Sequence, residues 1–216
     1  MGVMHRDLGR REPGFVHRLA MRIMVPLTRW VFARLPTQLR SMVDNSVGGR
    51  SGRVFSLIAK GRFAEAFPVA MAGVIDCQTH PGFVGINKLY WWVFLERAAC
   101  CAVELGDDER RQVLAQLEKA SEPGGMLEAQ CLSSVARWNW AAGDATTALG
   151  YARRALLCDP SWPYGHIMLA FYELGTCDPL PRLAEAVRLS AESLQTIRDN
   201  PSFAGVPGLI AALTAA

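Results

Sequence analysis

Side chains that could bind a metal are present in this sequence, but they do not form a complete set. Cys77 and His80 have the Cys-x-x-His spacing that makes half of a zinc site, and no second pair follows at a suitable distance. Cys100 and Cys101 are adjacent, so on a helix they point in different directions and cannot easily bind one ion. The pattern is typical of cysteines buried as small hydrophobic residues. We therefore predict no metal site.

A catalytic centre is not indicated either. A nucleophile needs a base and an orienting group, and the four histidines stand at unrelated positions. The acidic run Asp107-Asp108-Glu109 is better placed to begin a helix, where the helix dipole favours negative charge. Gly48-Gly49-x-x-Gly52 lacks the Lys-Ser/Thr and the preceding strand of a phosphate-binding loop. We predict no catalytic residue, no cofactor and no enzymatic activity.

The charges and cysteines indicate an interacting protein of a reducing compartment. Residues 1–53 carry ten Arg and three acidic residues, a net charge of +7, whereas residues 54–216 carry a net charge of −4. This asymmetry points to an interaction of the basic segment. The six cysteines are scattered in a chain of 216 residues and indicate no disulfide framework. The cytoplasm is the expected location, with or without peripheral attachment to a membrane.

Residues 15–35 have the pattern of a basic amphipathic helix. At about 100° per residue, Arg18, Arg22 and Arg29 share a sector, and apolar residues that include Trp30 lie about a third of a turn away. In one interpretation this helix caps a helical array. In the other it contacts an anionic membrane or an acidic partner through Arg18, Arg22, Arg29 and Trp30. Nucleic acid is not expected, because no reading motif accompanies the arginines.

The main boundary of the chain is predicted between residues 52 and 53. Asp44–Gly52 is rich in glycine and polar residues and is predicted to be a loop. Residues 1–52 would then form a basic N-terminal segment with an amphipathic helix and a loop. Residues 53–216 would form a helical repeat domain.

Glycine and proline recur regularly after residue 53. Each glycine stands between two apolar runs, and each proline follows the second run: Gly61 and Pro81, Gly106 and Pro123, Gly143 and Pro160, Gly175 and Pro201. Glycine suits the point where a helical chain reverses, and proline suits a position that needs no backbone N–H. The pattern predicts an all-α domain of four helical hairpins in series. A short last helix is predicted from Gly208.

One hairpin, residues 129–162, has specific packing positions. Apolar and small residues line its two predicted helices, and Gly143-Asp144 makes the turn between them; the lining residues are Leu132, Val135, Ala136, Ala148, Ala152, Ala155 and Leu156. This unit resembles the tetratricopeptide repeat (TPR), a helix–turn–helix of about 34 residues. Degenerate units resembling it surround residues 129–162. The resemblance implies a right-handed stack of antiparallel hairpins, a TPR-like α-solenoid.

The resemblance also implies a concave groove lined by the first helix of each hairpin. The candidate groove residues are Glu96, Cys100, Val103, Arg137, Trp140, Tyr164, Ile167 and Phe171. Aromatic and arginine side chains suit protein recognition. The alternative for Trp140 and Phe171 is a place in the core between repeats.

The leading functional hypothesis is a non-catalytic adaptor or scaffold that binds a protein or peptide in this groove. The first alternative is a membrane-peripheral factor, anchored by its basic N-terminal helix, that recruits a partner. The second alternative is an enzyme or metal protein on a helical scaffold. The identity of the partner stays open.

Overall fold

The structure, a computed structural model, describes residues 46–79, 84–120 and 123–215. These residues form ten α-helices and no strand, in agreement with the all-α prediction. The helices are α1 (Val47–Ala59), α2 (Phe63–Thr79), α3 (Val84–Glu104), α4 (Asp107–Leu117), α5 (Met126–Ala141), α6 (Ala145–Cys158), α7 (Pro163–Tyr172), α8 (Leu180–Leu189), α9 (Ser193–Asp199) and α10 (Leu209–Ala215). The basic helix predicted over residues 15–35 lies outside the described residues.

The four predicted turns fall between α1 and α2, α3 and α4, α5 and α6, and α7 and α8. Gly61, Gly143 and Gly175 have φ values of 70°, 86° and 85°, the left-handed region in which glycine carries no steric cost. Gly106 acts differently, since its φ is −98° and it caps α4. Its N–H donates to Glu109 Oε2 at 3.1 Å. The prediction that the neighbouring acidic residues begin a helix is therefore confirmed.

Residues 47–52 are helical, so the loop predicted for Asp44–Gly52 is wrong over these six positions. Two contacts stabilise the helix in spite of its glycines. Arg50 pairs with Asp76 of α2, and the Ser51 hydroxyl and carbonyl accept hydrogen bonds from Arg97 of α3. Tertiary contacts of this kind outweigh the low helix propensity of glycine. A compact unit spans Arg50–Ala216.

Each helix from α2 to α8 packs on a neighbour in the chain. The closest pairs are α5 with α6 and α2 with α3, and α3 also packs on α5, α6 on α7, and α7 on α8. At the α2–α3 contact, a Cβ on Gly73 would lie 2.6 Å from the Phe94 ring. The absence of a side chain at Gly73 lets the two helices approach this closely. The helix α4 packs mainly on α3.

The core of the α5–α6 hairpin contains the small residues that the sequence indicated. Ala136 and Ala152 are buried with Met168, Leu169 and Tyr172 of α7. A neighbouring cluster joins Ala129, Leu132 and Ala155 to Trp162, and Leu117 of α4 packs against it. Alanine at these contacts allows the helix backbones to lie close together.

The C-terminal part of the chain adds two short helices to the last hairpin. The helix α9 occupies the long interval between Gly175 and Pro201, and α10 is the short last helix predicted from Gly208. Leu209 and Leu213 of α10 are buried against Leu183 and Ala186 of α8. They close the core at the C-terminal end.

Within residues 46–79, 84–120 and 123–215, no helix combines the length and hydrophobicity that a membrane span requires.

Candidate interaction surface

The helices α3, α5 and α7 are each the first helix of a helix–turn–helix pair, and they are neighbours in space. The helix α3 packs on α5, and α5 contacts α7. The candidate interaction surface is defined as the half-buried predicted groove residues of these three helices outside the aromatic pair Trp140 and Phe171. These residues are Glu96, Cys100, Val103, Arg137 and Tyr164.

Arg137 of α5 is the arginine of this surface and is half-buried. Its charge acts on Cys100 of α3 and on Tyr164 and Tyr172 of α7. Its Nε is buried and has no hydrogen-bond partner among the described residues. Arg137 also forms no ion pair with a carboxylate of the described residues. The charge of Arg137 thus acts on residues of both α3 and α7, and no carboxylate within the described ranges pairs with it.

Glu96 of α3 belongs to the same surface and is half-buried. Burial raises the pKa of Glu96 to about 7, although the charge of Arg97 opposes that rise. Arg97 does not form an ion pair with Glu96, since it hydrogen-bonds Ser51 and lies 5.7 Å from the centre of the Phe55 ring. The Glu96 carboxyl is therefore about half protonated near neutral pH.

The charges of Glu96 and Arg137 both act on Cys100 of α3. Burial raises the pKa of the Cys100 thiol to about 11; Glu96 adds to that rise and Arg137 opposes it. The thiol is protonated at neutral pH, and a protonated thiol is a weak nucleophile. Val103 lies one turn further along α3, and its carbonyl accepts a hydrogen bond of 3.2 Å from Arg110 Nη2.

One of the predicted groove residues is buried in the core, and two others pack against the core while staying partly exposed. Ile167 is only 3% exposed and belongs to the core shared by α7 and α8, so it does not line a surface. Trp140 and Phe171 are half-buried and pack edge to face, with ring centroids 5.5 Å apart. Trp140 also lies 5.1 Å from the Tyr172 ring. Trp140 and Phe171 pack against the core cluster of α5, α6 and α7, and their partial exposure is compatible with both the groove and the core interpretation.

The structure adds Tyr172, which the sequence analysis did not select. It is buried, and burial raises the pKa of its hydroxyl while Arg137 opposes the rise. The sequence could have indicated that Tyr172 lies on the same side of α7 as Tyr164, because residues eight positions apart share one side of a helix. The Tyr164 ring packs on the Trp162 ring, with their centroids 5.3 Å apart. This contact holds the Tyr164 side chain in position.

A buried carboxylate directly after the last residue of α7 connects this helix to its two neighbours in the chain. Glu173 is 7% exposed and accepts hydrogen bonds from Arg153 Nη2 of α6 at 3.0 Å and from Arg182 Nε of α8 at 2.8 Å. Burial alone would raise the pKa of Glu173, but these two hydrogen bonds outweigh it and lower the pKa. The three residues tie three successive helices together.

Other candidate residues lie away from this surface or outside the described part of the chain. Arg18, Arg22, Arg29 and Trp30, proposed for membrane or acidic-partner contact, are outside the described residues, and so is His80. Its predicted companion Cys77 is a half-buried free cysteine. In the described ranges no three His, Cys, Asp or Glu side chains come together as a metal site would need.

The described residues define an all-helical protein in which α3 packs on α5 and α5 contacts α7. Comparison of the chain with protein-family models, with curated proteins and with solved structures finds no match.

Proposed function

We propose that this protein is a non-catalytic adaptor of the TPR-like kind, which binds another protein on the face formed by α3, α5 and α7. In this proposal the helix pairs form a right-handed stack and the partner lies across its concave side. The observation that carries the proposal is that the first helices of three successive pairs are neighbours. A face of this kind presents side chains from distant parts of the chain to one extended ligand.

The chemistry of the face supports a protein partner. It combines an arginine, a tyrosine and aliphatic surface, and arginine and tyrosine are enriched among residues that dominate binding energy. The Cys100 thiol on this face is protonated at neutral pH, which favours contact over nucleophilic chemistry.

Photo-crosslinking tests the proposed face. A photoreactive amino acid replaces Val103 on the proposed surface, and in a matched variant it replaces Leu157 on α6, which is 79% exposed. We expect the variant with the photoreactive amino acid at position 103 to form a discrete crosslinked adduct with a partner in cells. The variant with the same amino acid at position 157 should form none. Adducts from position 157 alone would assign binding to the other side of the molecule. Absence of adducts from both positions would contradict the proposed function.

A further inference from the structure

The helix α1 has one continuous exposed side, which spans about 160° of its circumference at about 100° per residue. This exposed side of α1 consists of Gly52, Arg53, Phe55, Ser56, Ala59 and Lys60. Phe55 lies at one edge, Arg53 and Lys60 lie at the other, and short side chains lie between them. The opposite side of the helix is buried at Ser51, Val54 and Leu57.

The edge formed by Arg53 and Lys60 carries uncompensated positive charge. Both side chains are exposed, and neither forms an ion pair with a carboxylate of the described residues. No Asp or Glu occurs from position 45 to position 64, and the next acid, Glu65, already pairs with Arg62. The two cations stand seven positions apart and therefore project from the same side of α1, two turns from each other.

The opposite edge combines an exposed aromatic ring with a third cation. The Phe55 residue is 61% exposed, and the Arg97 guanidinium carbon lies 5.7 Å from the centre of its ring. Arg97 donates hydrogen bonds to the carbonyl and the hydroxyl of Ser51, which hold the guanidinium group against α1. It pairs with no carboxylate in the described ranges. Both edges of the exposed side are thus cationic.

We propose that the exposed side of α1 docks on an anionic lipid surface. In this arrangement Arg53, Lys60 and Arg97 lie among the lipid headgroups, and the Phe55 ring enters the boundary between headgroups and acyl chains. Basic side chains beside an exposed aromatic ring suit this boundary, because the ring leaves water while the long cationic side chains keep their charge at the headgroups.

Charge complementarity supports a lipid surface as the occupant. Residues 1–64 carry a net charge of +9, whereas residues 65–216 carry a net charge of −6. Positive charge spread along one part of a chain fits an extended anionic surface, which attracts each nearby Lys or Arg. The exposed side of a single helix is convex, and mobile headgroups adapt to a convex shape, whereas a protein partner would need a matching groove.

Vesicle binding by the full-length protein tests the role of the cations. Sucrose-loaded vesicles of phosphatidylcholine and phosphatidylserine in equal amounts are sedimented with the protein, and vesicles of phosphatidylcholine alone serve for comparison. We expect binding to the anionic vesicles and little to the neutral ones. Because each basic residue near such a surface contributes about fivefold, Arg53→Gln with Lys60→Gln should weaken binding about 10- to 30-fold.

A matched pair of substitutions controls for net charge. Lys119→Gln with Arg198→Gln also removes one lysine and one arginine from exposed positions and should keep wild-type binding. Since all four side chains are exposed, both double variants should keep the thermal midpoint of the wild type. Equal weakening in the two double variants would show an effect of net charge alone and would overturn the inference. Unchanged binding of the α1 double variant would assign any vesicle binding to other residues and would overturn it too.

Photo-crosslinking in otherwise wild-type protein tests the docking side directly. A photoreactive amino acid replaces Phe55, or in the matched variant Leu157 of α6, which is 79% exposed. On anionic vesicles we expect lipid adducts from position 55, detected by mass spectrometry, and none from position 157. The absence of lipid adducts from position 55 would overturn the inference.

Two other adducts at position 55 would also overturn it. A crosslink between two copies of the chain without vesicles would make this side an interface between copies. A crosslink to an acidic protein in cells, without lipid adducts, would assign the side to that protein. The α3–α5–α7 face is tested separately at position 103, so failure of lipid docking leaves the proposed function standing.

Discussion

Burial raises the pKa of the Glu96 carboxyl group well above its ordinary value. This rise makes the free energy of unfolding depend on pH. Its pKa is about 7 in the folded chain, against an ordinary value of 4.5. Between these values the folded state binds more protons than the unfolded state, so this group lowers stability as pH rises from about 4.5 to about 7. Its contribution is fully favourable below pH 4.5 and lost above pH 7.

Glu96→Gln should therefore remove this pH dependence. We expect the variant to resemble the wild type near pH 4.5 and to exceed its free energy of unfolding at pH 8 by about 1–3 kcal/mol. Urea unfolding across pH 4.5–8 measures the difference. Glu104→Gln, at an exposed position of the same helix, is the matched control and should not flatten the curve. An unchanged slope in Glu96→Gln would show that Glu96 titrates normally.

At the scale of helices, two glycines with different surroundings separate packing from helix propensity. Gly73 of α2 faces the Phe94 ring of α3, whereas a Cβ on Gly150 of α6 would meet nothing within 4 Å. Gly73→Ala should destabilise the protein by about 1–3 kcal/mol because the ring or the helix must shift. Gly150→Ala should stabilise it by about 0.5–1 kcal/mol. Thermal and urea unfolding measure both, and a stable Gly73→Ala variant would contradict the close α2–α3 contact.

The positions of the helices were predictable from local chemistry. Gly61, Gly143 and Gly175 mark turns because their left-handed backbone suits glycine, and such a requirement is written in the residue itself. The helical state of Arg50 and Ser51 was not predictable, because it depends on Asp76 and Arg97, which are distant in sequence. Local composition there indicated a loop, and long-range pairing outweighed it.

The candidate surface was predictable only in part for the same reason. Helical spacing placed Arg137 and Tyr164 on first helices, and the structure brings these two helices, α5 and α7, into contact. Spacing alone did not reveal how far α7 is rotated, so it could not show that Ile167 faces the core of α7 and α8. It also gave no sign of Glu173, whose partners lie 20 positions before it and nine positions after it.

At the scale of the whole molecule, Glu173 connects α6, α7 and α8 and couples their stability. Its pKa is lowered in the folded chain by Arg182 and Arg153, which outweigh burial. The contribution of the cluster is therefore present above the ordinary carboxyl pKa of about 4.5 and is lost as pH falls through the lower folded value. Removing the charge should affect these three helices before it affects the rest.

Glu173→Gln tests this coupling at neutral pH. We expect a loss of about 1–3 kcal/mol, since a buried acceptor of two charged donors becomes neutral. In a molecule of serially packed helices, local opening spreads mainly to neighbours. Amide hydrogen exchange should thus accelerate more in α7 and α8 than in α2 and α3, whereas Glu185→Gln, in an exposed pair with Arg188, should change neither. Equal acceleration throughout Arg50–Ala216 would instead show that the compact unit opens as one body, without the local coupling expected of stacked helix pairs.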